Sequence, residues 1–535
     1  MASWSQPINS DCAGCRTHYV LPAPQPPVRA EQFKIPKTCY VSRARARTPT
    51  QTRRRYHCKL NIDSPVGHLP PEDVRTMRVG APSLLPDAAI TERLTQFLSN
   101  SRWEDIPDSV RHEAKRSLIN FFATAIAGSN DPAIDKTLRV LSPFSGAASC
   151  RIIGRLERSD MLVAAMINSM SANVFDFDDT HERTVIHPTA PVAAAIFALA
   201  DTMLLSGPQL VHALVLGMEI ECRIGNAVSP SHYQRGWHIT STCGVFGSAT
   251  AASKLLCLDA NGLREALGAA SVQAAGLVES LGSMAKSISV GNAARNGLLS
   301  ALLAQNGLTG PDRPLEGQRG FLRVTSDDPD FGAILKGLGQ EWEILTNTYK
   351  PYPCGVVLNP VIEGCMRIQK DPTLRINGIQ SVQLTGHPLL RERTDRLTVR
   401  TGREAQVSAQ HAVAVALTHG RAGLEEFSDD AANDRTLDFL RQKVSFVDNS
   451  LYTLNSASVR VVQADGNIIS CDVRDARGSR TNPLSDEDLQ QKLARLAEYA
   501  LFRSNTDSLA AAIWNVDQSQ DVSALLGLAA AGVAP

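Results

Sequence analysis

The sequence of 535 residues is poor in aromatic side chains, which make up 5% of it, and it carries no net charge at pH 7. A net charge of zero is atypical of a nucleic-acid-binding protein, which needs an excess of lysine and arginine. The apolar run 522–535 has only fourteen residues, whereas a membrane-spanning helix needs about 20. We therefore expect a globular protein of closely packed, alanine- and leucine-rich helices, with neither nucleic acid nor membrane as a partner.

The cysteines lack the spacing of a cluster or of a disulfide framework. There are eleven, an odd number, and those after residue 140 show no Cys-x-x-Cys pair. Iron–sulfur clusters require closely spaced thiolates, and small secreted proteins use even, regularly spaced sets. We expect an intracellular, reduced protein with no iron–sulfur or metal cofactor.

Charge is unevenly distributed along the chain. Residues 1–60 contain eleven lysines and arginines but two acidic residues, a net charge of +9 that the remainder balances. Residues 1–80 are also rich in proline and poor in apolar runs, which predicts a mostly disordered basic extension. An arginine-rich, acid-poor segment is compatible with a mitochondrial transit peptide. However, the first 28 residues hold a single arginine and no evident amphipathic helix, so a cytoplasmic location is favoured.

The rest of the chain shows two patterns of apolar residues, one after the other. From about residue 88, apolar residues recur at helical spacing, and from about Thr346 strand patterns replace them. Ile379–Thr385 is predicted to be a strand, and residues 458–473 a hairpin that turns at Asp465-Gly466. Helical character returns after a cap signal before residue 486. The other predicted helices are 161–170, 189–204, 208–227, 244–256, 261–276, 291–306 and 407–419.

These patterns predict a mainly α protein with an inserted domain. A large all-helical domain is formed by both ends of the chain, residues 85–346 and 485–535, and a smaller α+β lid domain comprises residues 347–484. Such an insertion creates a cleft between domains, which is a usual place for a ligand site.

The densest group of polar residues is N-V-F-D-F-D-D-T-H-E-R-T-V-I-H-P-T-A, residues 173–190, which joins two apolar segments. Acidic and imidazole groups cost free energy to bury unless they are paired. Three interpretations stay open from these residues alone. The stretch is a structural loop that caps helices, a proton-transferring catalytic loop, or a metal site made by Asp178, Asp179 and His181, although no metal-ligand spacing supports the last.

Four further polar groups lie in apolar surroundings. His238 precedes a helix rich in glycine and alanine, and Lys286 precedes G-N-A-A; helix N-termini of this kind bind anions. Lys350 begins the stiff loop K-P-Y-P-C-G at the predicted domain junction. His411 lies inside the helix 407–419, where a single histidine is usually structural.

Taken in order, these motifs resemble the MmgE/PrpD family. The set comprises D-F-D-D-T…H-P, G-W-H…G-S-A, M-A-K…G-N-A-A-R-N-G, G-L-T-G-P…L-E-G…G-F, K-P-Y-P-C and S-A-Q-H-A-V-A-V-A-L, and it covers about residues 85–525. The family includes 2-methylcitrate dehydratase and cis-aconitate decarboxylase. The resemblance implies a helical domain built from both chain ends, an α+β lid, a homodimer, and lyase chemistry without a metal.

The resemblance also implies a set of site residues. Asp176, His187 and His238 take the catalytic positions, and the substrate-binding positions are Thr180, Lys286, Lys350 and His411. There is one departure from the family pattern. Relatives often carry a histidine shortly after K-P-Y-P, where this chain has Cys354-Gly355, and this weakens the case for decarboxylation.

We therefore expect a hydro-lyase that dehydrates 2-methylcitrate or a similar alkylcitrate by metal-independent acid–base catalysis. Lysines can neutralise the carboxylates of a tricarboxylate, and histidines can exchange protons near neutral pH. The alternatives are decarboxylation of cis-aconitate, another reaction of a small acid such as epimerisation, and a non-catalytic binding protein.

The first prediction concerns the basic extension. Because residues 1–80 have too little apolar surface to build a core, their deletion should leave a folded, active enzyme. The thermal midpoint and the activity of the truncated and full-length proteins should agree. A truncated protein that does not fold would place the extension inside the folded domain.

Overall fold

The computed structural model describes residues 89–530, so the predicted basic extension lies outside the described residues. Most of this part of the chain is helical. The longer helices are α1 Ile90–Asn100, α2 Asp108–Gly128, α3 Pro132–Leu141, α4 Met161–Asn173, α5 Thr189–Ala200, α6 Gly207–Val228, α7 Ile239–Leu255, α8 Ala260–Ser271, α9 Ala285–Gln305, α10 Asn359–Gln369, α11 Ala409–His419, α12 Asp486–Tyr499 and α13 Thr506–Trp514. Shorter α-helices are Ser231–Gln234, Phe321–Thr325, Phe331–Leu335, Pro388–Thr394, Gly402–Ala405, Asp429–Ala432, Asp438–Arg441 and Ser523–Ala529.

Local sequence explains where several helices begin. The carboxylate of Asp160 accepts hydrogen bonds from the backbone N–H groups of Leu162 and Val163 and so caps α4. Ser485 and Asp488 form a capping box at the start of α12. Two helices begin earlier than the sequence pattern indicated, α7 at Ile239 and α9 at Ala285. As a result, His238 directly precedes a helix, and Lys286 lies in the first turn of one.

Helices α4, α7 and α9 pack closely because glycines on α9 remove the side chain at the contacts. A Cβ atom at Gly297 would lie 2.4 Å from the Cβ of Ser248 on α7, and one at Gly291 would lie 2.7 Å from the backbone oxygen of Met166 on α4. Real Cβ contacts are not that short, so any side chain at either glycine would push the helices apart. This close packing holds the first turn of α9 in place.

The strands form three small sheets. They are β1 Cys150–Arg151, β2 Arg158–Ser159, β3 Asp179–His181, β4 Asn347–Tyr349, β5 Ile379–Gly386, β6 Val444–Asp448, β7 Ala457–Gln463 and β8 Ile468–Val473. The larger sheet has the order β6-β5-β7-β8, with β5 and β6 parallel and the other pairs antiparallel. The turn between β7 and β8 contains Gly466 at φ +86°, which confirms the predicted hairpin. Strands β1 to β4 and β6 were not predicted. Strands β1 to β4 have only two or three residues each, too few to show an alternating pattern.

The apolar core of the described residues has two main clusters. The first contains residues from Ile90 to Tyr349 and from Leu484 to Ala529, together with Leu424. The second runs from Cys354 to Ile469. We call the elements of residues 90–349 and 486–529 the helical part, and those of residues 354–473 the sheet part. None of the described helices combines the length and the apolarity that crossing a membrane requires. The homodimer stays a prediction.

Candidate active site

One cavity brings together six of the seven side chains that the sequence singled out. It has a volume of about 70 Å³ and is lined by residues of both the helical part and the sheet part. The six predicted residues on its wall are Asp176, Thr180, His187, His238, Lys286 and Lys350. A small polar cavity lined by carboxylate, imidazole and ammonium groups is suited to binding an anion and moving a proton.

The two-stranded sheet of β3 and β4 positions two of these side chains. Thr180 lies in β3 opposite Thr348 in β4, and Lys350 follows directly after β4. The hydroxyl of Thr348 also donates to the backbone oxygen of Thr180 at 2.7 Å. Asp179 adds a further tie, since its carboxylate accepts from Asn347 of β4 at 2.7 Å. The segment with Asp176 is thereby fixed against the segment that carries Lys350.

A buried carboxylate holds both lysines of the site. Oδ1 of Asp176 lies 2.5 Å from Nζ of Lys286 and 3.0 Å from Nζ of Lys350, which also donates to the backbone oxygen of Asp176 at 3.0 Å. Burial alone would raise the pKa of Asp176, but the two lysines outweigh it and hold that pKa well below its usual value. The group therefore stays ionised, and the three charges together amount to +1.

The backbone beside the cavity is strained at two positions. Asp176 has φ +52° and Val185 has φ +58°, a region that L-residues seldom adopt and that is least favourable for a β-branched side chain. Both residues line the cavity. Such strain persists only where the surroundings enforce it, and the two lysines bound to Asp176 provide that enforcement.

The hydrogen bonds of His187 determine which ring nitrogen faces the cavity. Nδ1 lies 2.7 Å from the backbone oxygen of Asp179, and since a carbonyl only accepts, Nδ1 carries the hydrogen in the neutral ring. Nε2 is then a lone-pair acceptor, 3.7 Å from Oδ1 of Asp176. Burial lowers the pKa of His187 to about 4, against an opposing effect of Asp178. In the empty site His187 is a neutral base with Nε2 available.

Two hydroxyl groups determine the tautomer of His238, which also carries its hydrogen on Nδ1, as His187 does. The hydroxyl of Ser289 donates to the backbone oxygen of Lys286 at 2.7 Å, so it accepts from Ser241 at 2.7 Å. The single hydrogen of Ser241 is then used, and Nδ1 of His238 must donate to Ser241 at 2.7 Å. Burial lowers the pKa of His238 to about 3. Both imidazoles are therefore neutral, with Nε2 left to accept a proton.

Lys492 is a supporting residue that sequence reasoning missed. Its Nζ donates to the backbone oxygens of Phe177 and Lys350, at 2.7 and 2.9 Å, and to Oδ1 of Asn120 at 2.8 Å. Burial lowers the pKa of Lys492 well below its usual value. A lysine among leucines on an amphipathic helix looks like a surface residue in a sequence, so only its burial reveals this role.

The sheet part supplies the remaining wall of the cavity. Gly355, Val356, Val357 and Val407 make it largely apolar, while Arg393 adds a cation. The ring of Tyr233 from the helical part lies beneath the Arg393 guanidinium, 4.5 Å from its carbon to the ring centre. Neither Arg393 nor Tyr233 was a sequence candidate, because each lies in a polar stretch, R-E-R-T-D-R and S-H-Y-Q-R, that is typical of an exposed surface.

His411 does not line this cavity, so the structure does not bring it to the other six residues. It is fully buried in the sheet part, with Nε2 2.7 Å from the backbone oxygen of Glu426 and Nδ1 2.9 Å from Arg441. Both ring nitrogens are therefore occupied within the core. This is the structural role that a single histidine on an apolar helix usually has.

A metal site would need a different set of ligands from the one the sequence suggested. His181 is bound to Thr184 and Glu343, whereas Asp176, Asp178 and His187 have ligand atoms within 4.8 Å of one another. However, two ammonium groups already occupy Oδ1 of Asp176. A divalent cation would meet their repulsion and would have to displace them, so the donor set fits a metal poorly.

The chain is similar to known proteins along most of its length. A cis-aconitate decarboxylase from Aspergillus terreus is 27% identical over 470 residues, which are 82% of this chain and 96% of that protein. Cis-aconitate decarboxylases from Mus musculus and Homo sapiens are 24% and 25% identical, again over 82% of this chain, and over 93% and 94% of their own lengths. The MmgE/PrpD N-terminal domain model matches residues 92–334, and the C-terminal domain model matches residues 352–518. The chain belongs to the MmgE/PrpD family of lyases.

Proposed function

We propose that this protein is a carboxy-lyase that acts on cis-aconitate or a closely similar tricarboxylate. The observation that carries the proposal is the pairing, in one cavity, of two lysines fixed by an ionised carboxylate with two neutral imidazoles. The relatives named cis-aconitate decarboxylase support it. They favour this activity over the dehydration that we expected from the sequence.

The charge of the site supports an anionic substrate. Lys286 and Lys350 are charged, and Asp176 cancels one of those charges, so the empty cavity attracts carboxylates. Because both Nζ atoms are held, they can receive a substrate carboxylate without first being ordered, which is the preorganisation that enzymes use at charged groups.

Decarboxylation requires a proton at the end of the step. When the bond between carbon and the departing carboxylate breaks, its electron pair shifts into the adjacent unsaturated system, and a proton adds to carbon to form the new C–H bond. The imidazoles are neutral while the cavity is empty, at pKa values of about 4 and 3. A bound polyanion stabilises the imidazolium form, so His187 can take up a proton as the substrate binds and deliver it to carbon from Nε2.

Dehydration of an alkylcitrate is the second candidate, and two observations favour it. A neutral Nε2 is already competent to remove a proton from carbon beside a carboxylate. In addition, the wall formed by Val356, Val357 and Val407 is apolar, and a Cβ atom at Gly355 would meet only a backbone oxygen at 3.9 Å. That space suits an alkyl substituent better than a further polar group.

A product assay separates these two activities. The protein is incubated with cis-aconitate, citrate, 2-methylcitrate and longer alkylcitrates, with and without a strong chelator, and loss of CO₂ or water is followed by mass spectrometry. We expect CO₂ loss from cis-aconitate at a rate that the chelator does not change. Water loss from an alkylcitrate alone would favour the second candidate, and activity restored only by an added metal would overturn the metal-independent mechanism.

Replacement of the proton donor should reduce turnover. Because a positioned acid or base contributes about 10²–10⁴-fold, His187→Ala should lower kcat by that factor on whichever substrate is converted. The exposed His419 offers a matched control, since His419→Ala removes an imidazole distant from the cavity wall and should leave kcat unchanged. Wild-type kcat in folded His187→Ala would shift the role to His238.

Ligand binding should be accompanied by proton uptake. The pKa of His187 is about 4 in the empty site, and a bound anion raises it, so the complex holds more protons than the free partners. By linkage, the affinity then falls as pH rises through the window between these two pKa values. Calorimetry at pH 6.5 with propane-1,2,3-tricarboxylate, in buffers of different ionisation enthalpy, should show net uptake that decreases in His187→Ala. Proton release would contradict the mechanism.

A further inference from the structure

Arg393 faces the cavity with a charge that no described acidic side chain neutralises. It lies in the short helix Pro388–Thr394 and is half-buried, and its Nε is buried without a hydrogen-bond partner in the described part of the chain. Two other arginines of the sheet part are paired. Arg391 binds Asp448 in a forked contact, and Arg403 binds Asp131 of the helical part. An arginine left unpaired beside an anion-binding cavity is available for a ligand.

The ring of Tyr233 fixes the orientation of this guanidinium. The stacking distance of 4.5 Å lies within the range of a cation–π contact. The contact leaves the N–H groups of Arg393 without a hydrogen-bond partner among the described residues, and the N–H edge of a guanidinium matches the two oxygens of a carboxylate. Tyr233 and Arg393 come from the helical part and the sheet part respectively, so their contact forms only when the two parts meet at the cavity.

The charges in the cavity indicate which ligand the N–H edge of Arg393 would bind. A tricarboxylate carries three negative charges, whereas the two lysines and Asp176 together supply +1. Arg393 brings the cavity to +2 and adds a second cationic location, on the wall that the sheet part supplies. Two carboxylates of one substrate can then be bound at separate places while the third is left to react.

We propose that Arg393, held by Tyr233, binds the central carboxylate of the substrate through its N–H edge while the lysines bind a terminal one, and so selects tricarboxylates over dicarboxylates that lack the central group. This inference rests on the proposed function, because it takes a tricarboxylate as the substrate class. The arginine is contributed by the sheet part, so substrate bound between it and the lysines also bridges the two parts of the protein.

The test compares ligands with and without the third carboxylate. Dissociation constants are measured by calorimetry for propane-1,2,3-tricarboxylate and for glutarate, which lacks the central carboxylate, with wild type, Arg393→Gln and Arg393→Lys. Loss of a charge-assisted, two-pronged contact should weaken binding of the tricarboxylate by about 10- to 100-fold and change glutarate binding much less. Lysine keeps the charge but not the fork, so Arg393→Lys should recover only part of the affinity.

Two controls keep the result specific. Arg391→Gln removes an arginine from the same helix that is paired with Asp448, and it should bind both ligands as wild type does. Tyr233→Phe keeps the ring and should retain affinity, whereas Tyr233→Ala should weaken tricarboxylate binding. Thermal midpoints of all variants establish that they are folded.

The outcomes separate the two proposals. If wild type binds the tricarboxylate and Arg393→Gln binds it equally well, the assignment of Arg393 is wrong while the proposed function stands. The assignment is also wrong if Arg393→Gln weakens both ligands to the same extent, since that indicates a structural role. If wild type binds neither ligand, the proposed function fails and the role of Arg393 fails with it.

Discussion

The site depends on one buried ionic contact, the carboxylate of Asp176 between the ammonium groups of Lys286 and Lys350. It joins three segments that are distant in sequence, namely the loop after α4, the first turn of α9 and the end of β4. Buried charges are tolerated only when they are paired, and loss of one partner leaves the others uncompensated. Removal of Asp176 would therefore leave two cations facing each other and release the strained backbone at φ +52°. Burial is the main cause of the low pKa values of both imidazoles, and Lys286 adds to its effect.

The path of the chain brings α12 to the site although this helix is distant from the other site segments in sequence. Helix α12 lies more than a hundred residues beyond β4, yet Lys492 on this helix binds the backbone oxygens of Phe177 and Lys350. Phe177 directly follows Asp176, and Lys350 belongs to the charged contact itself, so α12 supports the site. The sheet part, which lies between β4 and α12 in sequence, supplies another part of the cavity wall. One segment of the chain therefore fixes the lysines while another completes the cavity around the substrate.

Features governed by local chemistry could be predicted from the sequence. The cap at Asp160 and the β-hairpin turn depend on a few neighbouring residues, and Asp176 and His187 are close along the chain. Features governed by distant packing could not be predicted in this way. Arg393 and Tyr233 meet only through the fold, and the role of Lys492 depends on burial that no local pattern shows. His411 illustrates the reverse case, since a family motif suggested substrate contact while its neighbours in space use both ring nitrogens.

The hydrogen bonds that orient the two imidazoles end at backbone carbonyls, those of Asp179 and Lys286. A peptide carbonyl has no ionisable hydrogen, so it cannot change from acceptor to donor as pH or bound ions vary. The main chain therefore sets the tautomer of His187 directly, and it sets that of His238 through two hydroxyl groups. Over evolutionary time, substitutions around the site can alter which acids fit while the two rings keep the same tautomer. At Ser241 and Ser289, by contrast, the hydroxyl itself must be kept, which leaves threonine as the conservative exchange.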